Sequence, residues 1–105
     1  MPQFDVFHNP GRQRDTIPFL VVLQNDRFAR AITRFVAPLV RRGFLSIDAH
    51  YLAPDFVIDG QEVVLDVFNL ATILAGRLAS PIASLADDAS RTRLIRALDE
   101  LISTA

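Results

Sequence analysis

The stretch Phe56-Val57-Ile58, Asp59-Gly60, Gln61-Glu62-Val63-Val64-Leu65 constrains the fold more than any other part of the chain. Two runs rich in β-formers flank an Asp-Gly pair, and a two-residue connection of this kind needs positive φ at both central positions. The spacing predicts an antiparallel hairpin, and so a sheet with a face to bury. Positions 87–105, DDASRTRLIRALDELISTA, follow a different period. Leu94, Ile95, Leu98, Leu101 and Ile102 recur at spacings of three and four and form one apolar stripe, with Arg91, Arg93, Arg96, Asp99 and Glu100 outside it. This segment is predicted to be a helix lying as a lid on the β-core. Asp87 and Asp88 favour its N-terminus through the macrodipole, and Asp87 is spaced to pair with Arg91. Asp99 and Glu100 oppose the dipole at the other end, which implies a local pair with Arg96 or a partner facing them.

The rest of the chain reads as short strands. Residues 3–8 alternate, with Phe4 and Val6 on one face and Gln3, Asp5 and Phe7 on the other, as a half-buried strand would. Positions 9–15 form a polar loop, and the continuous apolar run at 18–24 reads as a strand covered on both sides, ended by Asn25-Asp26. Residues 27–40 fit two templates. Phe28, Ile32, Phe35, Val36 and Leu39 would make a helix face, but Pro38 and the density of β-formers favour a strand over 33–40. Residues 41–52 read as a surface excursion, and 67–82 stay ambiguous, since Leu70, Ile73, Leu74 and Leu78 suit a helix that Gly76 and Pro81 oppose. The sum is a mainly β, α+β domain over 1–105, or a small barrel capped by the helix.

Composition narrows the function. A length of 105 residues allows one domain with a single core. Without cysteine there is no disulfide framework and no thiol chemistry. No apolar run is long enough for a membrane span, and MPQFDVF does not read as a signal peptide, so the expected location is cytoplasmic. The net charge is −1, yet all eleven basic residues are arginine, and Arg27, Arg30, Arg34, Arg41 and Arg42 fall in a span without an acid. Arginine suits bidentate contacts to phosphate or carboxylate, although a plain solvated face accounts for the run as well. No glycine-rich phosphate loop or paired metal-ligand spacing is present, and His8 and His50 stand alone. No catalytic residue, metal or cofactor is therefore expected.

Several stretches together carry a family resemblance: Gln3-Phe4-Asp5-Val6 with Asn9-Pro10, the strand at 18–26, Arg34-Phe35-Val36-Ala37-Pro38-Leu39, Leu52-Ala53-Pro54 before the Asp59-Gly60 hairpin, residues 70–85, and Leu94-Ile95-Arg96-Ala97-Leu98-Asp99. In this order they resemble the CcdB family of toxins from bacterial toxin–antitoxin modules, which poison DNA gyrase. The resemblance implies an SH3-like β-barrel with an added small antiparallel sheet, strands at 33–40 and near 73–78, and a homodimer. It further implies a non-enzymatic toxin that binds the gyrase A subunit, traps the cleaved-DNA complex and is neutralised by a CcdA-like antitoxin. Carried over by position, the gyrase-binding residues are Gln3, Phe4, Asn25, Asp26, Asp99, Ile102, Ser103, Thr104 and Ala105, against plainer readings of Phe4 as core and of Asn25 and Asp26 as a turn. Arg12, Arg14, Arg41 and Arg42 would suit an acidic antitoxin tail.

At one place the chain departs from the family. Gyrase poisons of this type end in an aromatic, usually Trp, followed by Gly-Ile, where this chain has Ser103-Thr104-Ala105. Two alternatives follow. One keeps the fold and the antitoxin surface but has lost gyrase poisoning. The other is a MazF- or Kid-like ribonuclease toxin, in which the arginine run holds RNA and His50 with Asp48 moves protons.

Overall fold

The computed structural model describes residues 2–28, 30–45 and 52–102. Their strands are β1 (Asp5–His8), β2 (Phe19–Val22), β3 (Thr33–Arg41), β4 (Asp55–Ile58), β5 (Gln61–Leu65), β6 (Ala71–Leu74) and β7 (Ala83–Ser84), followed by the helix α1 (Asp88–Ile102). Short 3-10 turns stand at Asp26–Phe28 and Ala75–Arg77. All pairings are antiparallel. The strand order is β4-β5-β3-β2-β1-β7, with β6 also on β3, giving a nearly closed, barrel-like sheet under one C-terminal helix.

The strand that organises the sheet is β3. One edge pairs with β2 from Val36 to Leu39, while the other is shared between β6 at Thr33 to Val36 and β5 at Leu39 to Arg41. Pro38 stands where β6 hands over to β5, and its carbonyl accepts Asp66 N–H at 3.0 Å on that side. Its missing N–H therefore costs the ladder nothing, which is how proline survives inside a sheet. Where β2 ends, the Gln24 side chain continues the ladder. Its Oε1 accepts Phe35 N–H at 2.7 Å and its Nε2 donates to Thr33 O at 3.3 Å, as a peptide group would.

The Asp59-Gly60 hairpin forms as the sequence requires, with φ of 51° and 77° and Ile58 opposite Gln61. Both angles lie in the left-handed region that a two-residue turn demands. The strand expected over 33–40 also forms. The one expected near 73–78 lies earlier, at Ala71–Leu74, and the chain then turns through Ala75–Arg77, so Gly76 and Pro81 exclude the helix and also shorten the strand. The strand expected over 3–8 begins at Asp5, because Phe4 has φ 68° and Asp5 N–H closes a turn onto Pro2 O.

Two packed layers form, one on each face of β1 to β3. The larger contains Phe4, Val6, Phe19, Val21, Leu39, Phe56, Val63 and Leu65 beneath Leu94 and Ala97 of α1. The smaller gathers Phe7, Leu20, Val22, Val36 and Leu78, with Ile17 and Ile73 at its border. The expectation of a half-buried first strand is corrected accordingly, since both faces of β1 are covered and Asp5 is buried with them. Burial pushes the Asp5 carboxyl above its ordinary value, opposed by the N-terminal charge and helped by that of Asp26. An acid raised in the native state supports the fold while protonated, below its unfolded pKa, and that support is lost as pH rises through the native value. Asp5→Asn is therefore expected to raise the urea midpoint at pH 7 and to leave it nearly unchanged at about pH 3, below the ordinary carboxylate range.

The apolar stripe of α1 is turned from the one the sequence suggests. Leu94 and Ala97 are fully buried and Leu98 and Leu101 pack at the margin, whereas Ile95 is 37% and Ile102 76% exposed. The buried set follows i, i+3, i+4, i+7, and Ala97 completes it because its small side chain lets the helix approach the sheet.

Candidate functional site

Turning the stripe leaves α1 with two distinct flanks. At 3.6 residues per turn, Arg91, Ile95 and Ile102 lie on one side of the Leu94–Ala97 line, roughly 60–100° away from Leu94, with Asp99 farther round. Ser90 and Arg93 lie on the other side. Each flank meets a different part of the barrel.

On the first flank the chain's start, the end of β2 and the helix converge. Arg91 Nη1 donates to Gln3 Oε1 at 3.2 Å, and its guanidinium stands 5.5 Å from the Phe4 ring centroid. Gln3 Nε2 donates to Leu23 O at 3.1 Å, and Gln3 N–H to Asp26 Oδ1. Asn25 Oδ1 accepts Arg27 N–H at 3.0 Å and so closes the local turn, whereas the Asp26 carboxylate ties that turn to the start of the chain. Phe4 is 1% exposed and belongs to the core. As the chain stands it offers no contact surface, and its ring instead supports Arg91. Of the proposed gyrase contacts, Gln3, Asn25 and Asp26 come together, with Arg91 and exposed Ile95 as neighbours that the sequence reading missed. Asp99 and Ile102 lie about 12 and 16 Å farther along the helix at 1.5 Å per residue. Ser103, Thr104 and Ala105 lie outside the described residues.

The expected Asp87–Arg91 pair is replaced by other contacts. Asp87 caps α1, its Oδ2 accepting Ser90 N–H at 3.0 Å while its carbonyl accepts Arg91 N–H at 2.8 Å. That frees the Arg91 side chain for Gln3 and Phe4.

On the second flank Asp55 joins two arginines. Arg93 Nη2 lies 2.8 Å from Asp55 Oδ1, and Arg42 Nη1 lies 3.2 Å from Oδ2. The Arg93 guanidinium also stacks 4.6 Å from the Phe56 ring centroid. The Asp55 carboxyl is held below its ordinary value chiefly by its own backbone N–H, which outweighs the opposing effect of burial, with Arg93 and then Arg42 adding to the lowering. A depressed native pKa gives stability above the unfolded pKa that is lost as pH falls through the native value. Asp55→Asn is expected to lower the urea midpoint at pH 7, with the difference closing as pH falls below about 4. Because the side chain is 59% exposed, the effect is small and shrinks with added salt.

The arginine run does not form one patch. Arg34 is 6% exposed and donates from Nη1 to Thr33 O at 2.9 Å and to Ala31 O, so it is structural. Arg27 and Arg30 stand before β3 and Arg41 and Arg42 at its end, about 20 Å or more apart along a strand that rises ~3.3 Å per residue. The proposed antitoxin set shares that second end. Arg12 and Arg14 are exposed in a loop tied to β3 where Arg41 N–H donates to Thr16 O at 2.7 Å. Arg14 Nε donates back to Gly11 O at 3.0 Å. His8 is exposed, with its ring 5.6 Å from that of Phe19, and Asp48 and His50 lie outside the described residues.

A sequence model of the CcdB protein family matches residues 3–104. The chain belongs to the CcdB family. That family comprises non-enzymatic toxins of toxin–antitoxin modules, and its partners in general are an antitoxin and gyrase. No curated protein matches the chain. Among the described residues, no helix is long and apolar enough to cross a membrane, and no three His, Cys, Asp or Glu side chains group as a metal site would.

Proposed function

We propose that this CcdB-family toxin acts as a homodimer in the cytoplasm, binds the gyrase A subunit, traps its cleaved-DNA complex and is neutralised by a CcdA-like protein antitoxin. The observation that carries the reading is the Gln3–Arg91 hydrogen bond, which joins the start of the chain to the exposed flank of α1. Gln3, Asn25, Asp26, Arg91, Ile95 and Ile102 then form a surface with polar groups at one end and apolar groups at the other. Two copies of that surface, related by a dimer axis, can meet a two-fold symmetric target with matching axes. Binding needs no chemistry by the toxin. The antitoxin would engage the end carrying Arg12, Arg14, Arg41 and Arg42, where charge favours an acidic segment that folds on binding.

Titration of a gyrase A dimerisation fragment with the purified protein tests this directly. Dissociation at micromolar concentration or tighter, about −8 kcal/mol, supports gyrase as the target. Undetectable binding by a protein that still takes up its antitoxin favours the second reading, in which the fold and antitoxin surface persist without poisoning. Ser103-Thr104-Ala105, standing in place of Trp-Gly-Ile, is the observation that favours it. The ribonuclease reading loses its main motive with Arg34 buried and the arginine run divided.

A further inference from the structure

Strand β6 pairs with β3 alone, from Thr33 to Val36, and among the described residues no strand stands against its other edge. The ladder fixes which main-chain groups that edge presents. Ala75 N–H donates to Ile32 O at 2.8 Å, and alternation along an antiparallel pair then joins Arg34 to Ile73 and Val36 to Ala71 by hydrogen bonds. Thr72 and Leu74 lie between these pairs and turn their main chains outward. The far side of β3 agrees. Phe35, opposite Thr72, accepts Leu23 N–H at 2.9 Å and donates to Gln24 Oε1, so its groups point to β2 and not to β6. Leu74 C=O is the N-cap acceptor of the 3-10 turn at Ala75–Arg77, which leaves Thr72 N–H, Thr72 C=O and Leu74 N–H at the edge.

Edge strands are normally blunted by charge, proline or a bulge. Ala71-Thr72-Ile73-Leu74 has none of these, and its register with β3 is unbroken. Thr72 and Leu74 share a face with Phe35, and Ile32 stands at the end of the same ladder. Leu74 is 55%, Phe35 40% and Ile32 79% exposed, so the edge is apolar as well as unpaired.

The charge beside it is positive. Residues 23–36 and 67–86, which build this end of the barrel, hold exposed Arg27, Arg30 and Arg77 and buried Arg34 against one acid, Asp26. Asp26 keeps its charge while accepting Gln3 N–H, and counting it in full still leaves the exposed arginines in excess. Asp66 lies level with Pro38, whose carbonyl takes its N–H, roughly 16 Å of strand away from Thr33.

We infer that the β6 edge docks an extended segment of a partner protein, added antiparallel, apolar where it passes Thr72 to Leu74 and acidic where it passes Arg77. Main-chain bonds to the edge hold the segment, and Arg30 and Arg77 select its charge. A second copy of the chain fits less well. Paired antiparallel about Thr72, it would bring residues 67–69 beside Arg77, and these contain no acid. The site lies at the opposite end of β3 from Arg41 and Arg42, so its failure would leave the antitoxin reading of that end untouched.

The test uses the full chain and two synthetic probes, acetyl-Glu-Glu-Val-Thr-Val-Val-amide and its counterpart beginning Lys-Lys, with amide hydrogen exchange followed by NMR. The Glu probe at saturation should slow the Thr72 and Leu74 amides by at least about tenfold, and it should bind at least about tenfold tighter than the Lys probe. Arg30→Glu combined with Arg77→Glu should reverse that preference while the melting temperature holds, since both side chains are exposed. Thr72→Pro removes an N–H that faces away from β3 and should weaken the Glu probe by at least about tenfold. If that variant loses its fold, N-methylation of the probe at alternate residues replaces it, abolishing binding in one register and sparing it in the other. Unchanged exchange at both amides, or equal binding of the two probes, overturns the proposal. So does protection that grows with protein concentration without probe, which assigns the edge to a second copy. Tighter binding of a decathymidylate than of the Glu probe overturns it as well and assigns the face to nucleic acid.

Discussion

Leu94→Ala is expected to lower the unfolding free energy by about 2–5 kcal/mol, the range for truncating a fully buried leucine. Leu94 is 0% exposed and is the main side chain by which α1 closes the larger core over Phe4, Val6 and Phe56. Against a total of about 5–15 kcal/mol for a domain, such a loss leaves a substantial unfolded population. The melting temperature should fall by roughly 10 °C or more, since each kcal/mol moves it by about 4–8 °C in a domain of this size. Ile95→Ala supplies the contrast. Periodicity alone places Ile95 in the same stripe, but it is 37% exposed, and its truncation should cost about 1 kcal/mol or less. Thermal melts of the two variants check the register of the helix, and equal losses would mean that α1 packs as the sequence pattern suggested.

The difference between Leu94 and Ile95 shows what kind of information the sequence carried. Asp59-Gly60 was legible because a two-residue turn depends on local φ alone, and Pro38 was legible as a bar to a helix interior for the same reason. The stripe of α1 was legible only to within part of a turn, because hydrophobicity does not distinguish an apolar residue facing the core from one facing a partner. Ala97, the residue that sets the rotation, carries little hydrophobic signal. The second packed layer was legible at 18–24, read as covered on both sides, but its covering residues Ile17, Ile73 and Leu78 were not, because they come from segments far apart in the chain. Gln24 on β3, Arg91 on Gln3, and Asp55 between Arg42 and Arg93 were invisible for a related reason. Each joins polar residues at separations that have no period. Arg34 shows the reverse error, since proximity in sequence suggested a surface run that strand geometry divided.

The C-terminus is where the gyrase reading can be tested by gain instead of loss. In the CcdB-type poisons that this chain resembles, an aromatic followed by Gly-Ile stands where Ser103-Thr104-Ala105 stand here, directly after Ile102. Ile102 is 76% exposed and shares a helix flank with Arg91 and Ile95, so an aromatic added beside it would extend an apolar surface that already exists. Interface energies concentrate in a few anchors, with Trp the most enriched, and one such anchor contributes about 2 kcal/mol or more. Ser103→Trp, combined with Thr104→Gly and Ala105→Ile, is therefore expected to tighten binding of a gyrase A dimerisation fragment by at least about 30-fold, since each 1.4 kcal/mol is tenfold. Adding Arg91→Ala to the same variant should reverse part of the gain, because Gln3 then loses its tie to the helix. Calorimetric titration of the three proteins decides the matter. Equal affinity of the parent and the Trp variant would show that this surface does not meet gyrase, while a gain that Arg91→Ala leaves intact would confine the contact to the helix end and remove Gln3 and Asp26 from it.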